Sequence, residues 1–454
     1  MVYDLIVIGG GPAGYLGAQR AGQAGLKALL FEKRSLGGVC LNEGCIPSKT
    51  LLHSAKLKDG AAYGEAYGVS AQGVQLNHGA VIARKNKVVK TLVGGVEAAL
   101  KHAGVAVVKA AAAVTGQTAE GFTVTDGQNV YTGKRLLIAA GSEPALPPIP
   151  GLKEALGSGL ALASRELLDT PEVPHKLIVI GGGAVGLEMA SYFCSAGAEV
   201  TVVEMLDAIG GPIDADIAAI LKKNLAKKGI RFQLGCRVTR ILDTVDGVGA
   251  DGAPILLEAD KILLSVGRRP VTDGLGLETI GVTIENGAVV TDSHMQTSVA
   301  GLYAAGDITG KSMLAHTAYR EAEVAVAHMT GQLDTMRYDV IPWVIYTSPE
   351  AAGVGLTERE ARERGLDVTV KSLPMNYSGR YMAENDRGDG IIKLVADNNR
   401  HVLLGVHIIG SYASEIIYGA GMMIEKGMTI DEIKRVVFPH PTAGEALREA
   451  IFQL

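Results

Sequence analysis

Four cysteines occur in 454 residues, and two of them stand five positions apart in Gly37-Gly38-Val39-Cys40-Leu41-Asn42-Glu43-Gly44-Cys45-Ile46-Pro47-Ser48-Lys49. Positions i and i+5 of a regular helix lie roughly 8.7 Å apart between Cα atoms, and a disulfide needs about 7 Å or less. If Cys40 and Cys45 are bonded, the helix must break between them, and Gly44 or Pro47 is where it could do so. A disulfide in forced geometry is easily reduced, which suits redox exchange. Two other readings stay open on spacing alone. The pair could be unpaired core thiols. It could begin an iron–sulfur or zinc site, although such sites need three or four ligands close by. Cys194 and Cys236 are far away in apolar surroundings and read as buried thiols, so no metal centre is expected. A second chemical group closes the chain. His440 is held between Pro439 and Pro441, and Glu445, five residues on, could orient the imidazole and raise its basicity. Without context it is more often a surface-loop histidine.

The elements that must position these groups are legible nearby. Leu5-Ile6-Val7-Ile8 reads as a short buried strand, followed by Gly9-Gly10-Gly11-Pro12-Ala13-Gly14, a helical pattern to about Ala24 and a second strand ending in Glu32. This is a dinucleotide fingerprint in context. Gly9 allows the tight turn, Gly11 lets backbone approach a pyrophosphate, and Gly14 lets helix and strand pack closely. The helix N-terminus faces the phosphates, and Glu32 is placed for a ribose. The pattern recurs as Gly181, Gly183 and Gly186 with Glu204, each acid and first glycine shifted by the same 172 residues. Two matched sites in one chain follow. An acid at the ribose position favours NAD, because a 2′-phosphate would be repelled.

Between and after these motifs the pattern is mixed. Residues 51–100 read as helical with a Gly/Ala-rich interruption over 60–79, and residues 105–115 and 121–132 as strands and turns. Pro144, Pro147, Pro148 and Pro150 form a stiff linker at a domain boundary. Ala304-Ala305-Gly306-Asp307 puts a carboxylate at a strand end, where an ordinary turn aspartate is the competing reading. From about Arg337 strands and helices mix without a glycine motif.

Composition narrows the class. The length suggests about three domains. With 47% apolar and 20% charged residues the chain buries large cores. A net charge of −5, from 43 basic and 48 acidic residues, argues against a nucleic-acid or anionic-membrane partner. Four cysteines are too few for a secreted disulfide scaffold. No apolar run reaches the roughly 18 residues of a membrane span. Met1-Val2-Tyr3-Asp4 enters a strand at once, so no signal or transit segment is expected and the cytoplasm is the natural setting.

Together these features resemble the pyridine nucleotide–disulfide oxidoreductases. The resemblance runs from Tyr3 to the C-terminus and is most specific over residues 37–49, 181–188, 304–307 and 440–445. It implies an α/β fold with two Rossmann-like dinucleotide-binding domains and a C-terminal α+β dimerisation domain. The implied boundaries are 1–145 for the first part of the FAD domain, 146–266 for the NAD domain, 267–336 for the second, central part of the FAD domain, and 337–454 for the interface domain. FAD would sit at the first fingerprint and NAD at the second. Beyond Gly9, Gly11, Gly14 and Glu32, the resemblance implies FAD contacts at Gly38, Lys49, Ala112, Gly141, Asp307 and Ala315. Beyond the second glycine motif and Glu204, it implies NAD contacts at Glu188, Val238 and Gly267.

Roles follow by the same resemblance. Cys40 and Cys45 are implied to form a redox-active disulfide, with Cys40 the interchange thiol and Cys45 the thiolate beside the flavin. Lys49 and Glu188 resemble an ion pair near the flavin, and Asp307 a carboxylate on its ribityl chain. His440, supplied across a homodimer interface, resembles the base, with Glu445 its partner. The implied reaction oxidises a protein-bound dihydrolipoyl group and passes hydride to NAD⁺. The partner would be a lipoylated protein of a 2-oxo acid dehydrogenase complex or of the glycine cleavage system. The competing readings are a glutathione- or mercuric-reductase-like enzyme, against which Ser48 before Lys49 and the lack of a C-terminal cysteine pair argue, and a non-catalytic docking flavoprotein, which the intact Cys40, Cys45 and His440 disfavour. Departures from the family pattern fall at Ala112, Thr317, Val271 and over residues 377–385.

Overall fold

Leu5, Ile6, Val7 and Ile8 are all buried, as are Ala28, Leu29, Leu30 and Phe31 in the neighbouring strand. Continuous apolar runs of this kind belong to parallel strands covered on both faces. The computed structural model describes every residue except Asp243, Ala250 and Arg387. The chain divides into two compact units, one made of Met1–Thr50, Ala83–Leu146 and Gly267–Tyr338, the other of Leu51–Ile82, Pro147–Val266 and Asp339–Leu454.

In the first unit, strand Val2–Ile8 pairs in parallel with Ala28–Phe31 on one side and Val130–Ile138 on the other. Ala106–Val108 extends one end of the sheet, and Leu302–Ala304 pairs in parallel with Val130–Ile138. An antiparallel extension, Gly121–Thr125 and Ala113–Thr118, continues from Val130–Ile138. Helix Pro12–Gln23 packs against helix Ala315–Met329. Small residues make this possible: Gly14, Gly17, Ala18 and Ala21 are its buried face. A Cβ at Gly17 would lie 2.7 Å from Leu137.

The second unit repeats the parallel core. Its sheet runs Arg231–Gln233, Glu199–Val203, Lys176–Ile180, Lys261–Leu264, Ala161–Leu162, all parallel. Helix Ala184–Ala196 follows its glycine motif. A separate five-stranded antiparallel sheet follows in the chain, ordered Trp343–Ile345, Glu350–Gly355, Val402–Gly410, Ile391–Asp397, Val368–Pro374. Helices Ala413–Glu425 and Glu445–Ile451 pack on it. The last helix turns Ala446, Leu447, Ala450 and Ile451 inward as a helical stripe, and Glu445 is its first residue. Among the described residues no helix is long and apolar enough to cross a membrane.

Candidate active site

The first glycine loop and the cysteine segment are built against each other. Gly9 has φ +105°, and a Cβ on it would sit 2.3 Å from the Ala139 carbonyl oxygen, so only glycine fits this turn. The chain then folds back, and the Gly37 amide donates to the Gly10 carbonyl at 2.8 Å. At Gly38, φ is +58° and a Cβ would lie 2.6 Å from Gly11 Cα. Helix Gly38–Glu43, which carries Cys40, therefore starts in backbone contact with the fingerprint loop.

That helix stops at Gly44, with φ −146° and ψ −103°, and a new helix starts at Cys45. The break falls at Gly44, one of the two expected positions. Pro47 instead lies in the first turn of Cys45–Ala62, where its missing N–H costs no intrahelical bond. Cys40 and Cys45 are both half-buried. The Cys40 thiol is pushed well above its usual range, first by its hydrogen bond with Cys45 and next by burial, against the pull of the Lys49 charge. Lys49 Nζ is 3.4 Å from Ser48 Oγ, and Ser48 donates to the Cys45 carbonyl at 3.1 Å.

The acids of the two fingerprints have the same geometry. Glu32 accepts from the amides of Gly10 at 2.7 Å and Arg34 at 2.6 Å. Glu204 accepts from Gly182 at 2.7 Å and Leu206 at 2.8 Å. Each acid thus ties its own loop, and a ribose would use the remaining lone pairs of the same carboxylate. A cleft of about 450 Å³ opens beside Glu32, lined also by Arg34, Leu36, Val105, Val107 and Lys109. It lies outside the carboxyl end of strand Ala28–Phe31, where open α/β sheets take nucleotides. The glycine cradle, the acid and the cleft fit the nucleotide end of FAD. In the second motif Gly181 has φ +107° and Gly183 has nothing within 4 Å of a notional Cβ, leaving open space at the helix start, and at Gly186 a Cβ would lie 2.1 Å from the Gly181 carbonyl oxygen. This cradle fits a dinucleotide equally well.

The other expected contacts fall in distinct settings. Asp307 accepts the Ser142 hydroxyl, and Arg268 Nε donates to the same Ser142 oxygen at 2.7 Å while lying 4.0 Å from Asp307. Burial pulls Arg268 below its usual range, with Asp307 opposing. Gly141, with φ +75°, precedes Ser142. Ala315 is the first residue of its helix, so its N–H has no helical partner. Ala112 is buried in the core with Ile8 and Phe31, so its methyl faces that core. Glu188 is 4% exposed and accepts the Tyr346 amide at 3.1 Å. Val238 lies on strand Arg237–Ile241, and Gly267, with φ +113°, directly follows Val266. Cys236 is buried as expected, but Cys194 is only half-buried because it lies in the last turn of its helix, where it donates to the Lys228 carbonyl at 3.4 Å.

His440 Nδ1 is 2.7 Å from Glu445 Oε1, and its side chain is 78% exposed. A carboxylate only accepts, so Nδ1 carries the proton and Nε2 is the basic nitrogen. Glu445 is held below the usual carboxylate range, first by His440 and then by the Thr442 amide, 2.9 Å from Oε2. The His440–Pro441 peptide is cis.

Sequence reasoning missed several partners. Ser142 and Arg268 stand beside motif residues but gave no signal of their own. Glu321 is 0% exposed, accepts the Gly306 amide at 2.5 Å and the Tyr338 hydroxyl at 2.7 Å, and so anchors the turn that carries Asp307. Burial pushes its carboxyl up to about 7. Tyr15 and Tyr319 share a hydroxyl hydrogen bond at 2.6 Å, and burial raises both phenols, with the charge of either thiolate adding to the effect. A buried acid inside a helix and two tyrosines 304 residues apart carry no local pattern.

Comparison with known proteins agrees with this geometry. Residues 3–322 match the pyridine nucleotide-disulphide oxidoreductase family, and residues 341–451 match its dimerisation domain. The chain is 40% identical to a dihydrolipoamide dehydrogenase of Chaetomium thermophilum, covering 98% of this chain and 90% of that one. It is 39% identical to a dihydrolipoyl dehydrogenase of Geobacillus stearothermophilus, covering 98% and 95%. Its fold is similar to the crystal structure of LpdA from Mycobacterium tuberculosis, with a TM-score of 0.89, 26% identity and 99% of both chains covered.

Proposed function

This chain belongs to the pyridine nucleotide–disulphide oxidoreductase family, and we propose that it oxidises protein-bound dihydrolipoyl groups to lipoyl groups and delivers the electrons to NAD⁺, as dihydrolipoyl dehydrogenases do. It is an FAD- and NAD-dependent oxidoreductase that forms homodimers through its dimerisation domain. Bound FAD supplies the junction between two-electron thiol chemistry and hydride transfer. Residues 1–145 and 267–336 would hold FAD, 146–266 NAD, and 337–454 the partner subunit. The lipoylated partner would belong to a 2-oxo acid dehydrogenase complex or the glycine cleavage system, in the cytoplasm.

The observation that carries this reading is the Cys40–Cys45 pair across the Gly44 break, seated on the first glycine loop. In the oxidised enzyme these two form a disulfide. His440 Nε2 takes the proton of a substrate thiol, with Glu445 steadying the cation on the far side of the ring. The substrate thiolate attacks Cys40 Sγ, the Cys40–Cys45 bond breaks, and its electron pair leaves on Cys45. The second substrate thiol attacks the substrate sulfur of the mixed disulfide, and its proton passes to the departing Cys40 sulfur. That closes the oxidised dithiolane and releases Cys40. Cys45, which took the electron pair of the broken disulfide, is the thiolate that carries the electrons onward. Lys49 and Glu188 would frame the flavin, and Asp307, held by Ser142, its ribityl chain.

The test mixes chains. Cys40→Ser and His440→Ala homodimers should each be nearly inactive toward dihydrolipoamide, the second by something like 10²–10⁴-fold. If His440 of one subunit serves Cys40 of the other, a heterodimer holds one intact site and one doubly defective site. Activity should return on co-refolding, to about half of wild type per heterodimer. Heterodimers that form, keep FAD and stay inactive would refute the shared site.

A further inference from the structure

The segment that departs from the family pattern, residues 377–385, reaches the proposed base. Ser378 is 0% exposed. Its hydroxyl donates to the Thr442 carbonyl at 2.8 Å and accepts the Tyr381 amide at 3.1 Å, capping helix Gly379–Glu384. Thr442 in turn donates its amide to Glu445 Oε2 at 2.9 Å and its hydroxyl to the Pro439 carbonyl at 2.9 Å. Glu445 Oε1 then meets His440 Nδ1 at 2.7 Å. Three hydrogen bonds therefore run from a buried serine to an imidazole whose side chain is 78% exposed.

Other polar ties of residues 439–445 lie within the loop or run to the helix that follows it, as from the Leu447 amide to the Gly444 carbonyl at 3.0 Å. The Glu445 amide donates to Thr442 at 3.2 Å, and Ser378 supplies a polar contact from outside it. Ala443, 4% exposed, adds an apolar anchor but no direction. A hydrogen bond from a fully buried donor fixes the Thr442–Ala443 peptide plane, and through the Thr442 Cα it restrains the adjoining Pro441–Thr442 plane, whose amide Glu445 accepts. We propose that Ser378 is a positioning residue for dithiol oxidation: through Thr442 and Glu445 it sets the angle at which His440 presents Nε2 to the substrate thiol. The inference rests on the reading of His440 as the proton acceptor.

Ser378→Thr and Ser378→Val add the same methyl to the site, and they differ in keeping or losing the hydroxyl. Both are measured as holoenzyme homodimers beside wild type, Ser378→Ala and His440→Ala, with dihydrolipoamide and NAD⁺, and separately with NADH and an artificial electron acceptor, which needs no thiol proton. The quantity of interest is the ratio of the two turnovers. For Ser378→Val it should fall ~3- to 10-fold below Ser378→Thr, the factor one neutral hydrogen bond commands. The loss should appear in kcat for the dithiol rather than in its KM, and Ser378→Ala should follow valine. Melting temperatures of the threonine and valine proteins are compared at the same time. Should Ser378→Val unfold, Ser378→Ala against wild type carries the comparison. Equal ratios in the threonine and valine proteins, or a loss shared by both activities, overturn the role of Ser378. If His440→Ala keeps its dithiol turnover, the assignment of the base fails instead, and the inference falls with it.

Discussion

Alanine at Gly38 tests how the redox segment is seated. At φ +58° a Cβ there would lie 2.6 Å from Gly11 Cα and 3.3 Å from Gly11 N. Two costs combine. The left-handed torsion costs an alanine about 1 kcal/mol. The overlap is with main chain, so no rotamer change relieves it, and overpacking of this kind costs about 1–3 kcal/mol. The expected loss is about 2–4 kcal/mol. Gly25 is the control, with φ +83° and nothing within 4 Å, so Gly25→Ala bears the torsional cost alone. Urea unfolding of both holoenzymes, followed by circular dichroism and by release of flavin, measures the difference. Gly38→Ala should unfold at clearly lower urea than Gly25→Ala at a similar slope. Its dithiol turnover should also fall, because Cys40 lies two residues into the displaced helix. Equal midpoints would mean that the loop and the cysteine helix are not in backbone contact.

Two further outcomes follow from buried or loop-bound acids. Glu204 is tied to Gly182 and Leu206; if it takes the ribose as proposed, a 2′-phosphate at about 4 Å from its charge costs of order 1–4 kcal/mol, so kcat/KM for NAD⁺ should exceed that for NADP⁺ by roughly 10- to 1,000-fold, and parity would remove Glu204 from the ribose position. Glu321, pushed by burial from 4.5 up to about 7, binds a proton more readily folded than unfolded, so its contribution to stability is full below about 4.5 and is lost as the pH rises through about 7; Glu321→Gln should flatten the change in melting temperature across that window, and an unchanged profile would place the titration elsewhere.

What the sequence made legible was local. The glycine motifs could be read because each constraint lies within a few residues: the turn at Gly9, the close approach at Gly14, the acid at Glu32. The break at Gly44 followed from the reach of a helix and the span of a disulfide. What stayed hidden depends on which strand lies beside which. Ser142 meets Asp307 because Val130–Ile138 and Leu302–Ala304 pair in parallel and both chains leave the sheet at the same end. Glu321 reaches Gly306 only through the helix that follows that strand. Ser378 meets Thr442 across 64 residues, because helix Glu445–Ile451 packs on strands Val368–Pro374 and Ile391–Asp397. Residue type and spacing do not encode such neighbours; topology does. Cys194 is a milder case, since apolar surroundings in sequence did not reveal that it ends a helix turn.

The two nucleotide motifs explain where the redox chemistry was added. Both copies continue past the acid into a loop that returns to the glycine turn. Gly37 donates to the Gly10 carbonyl at 2.8 Å, and Gly210 donates to the Gly182 carbonyl at 2.8 Å. Each return is followed by a second glycine with positive φ, Gly38 at +58° and Gly211 at +77°. Up to this point the copies do the same work. They then diverge. After Gly211 comes Pro212, an aspartate cap at Asp214 and the ordinary helix Ala215–Lys227. After Gly38 comes a six-residue helix with Cys40 on it, a break, and Cys45 at the start of the next. The thiol pair therefore occupies the first segment that the shared fold leaves undetermined, as near to the glycine loop as backbone contact permits. A dithiol placed there meets whatever that loop binds without altering the loop itself. The proposed base comes from a different part of the chain, residue 440, on a loop whose Thr442 carbonyl accepts from the buried Ser378.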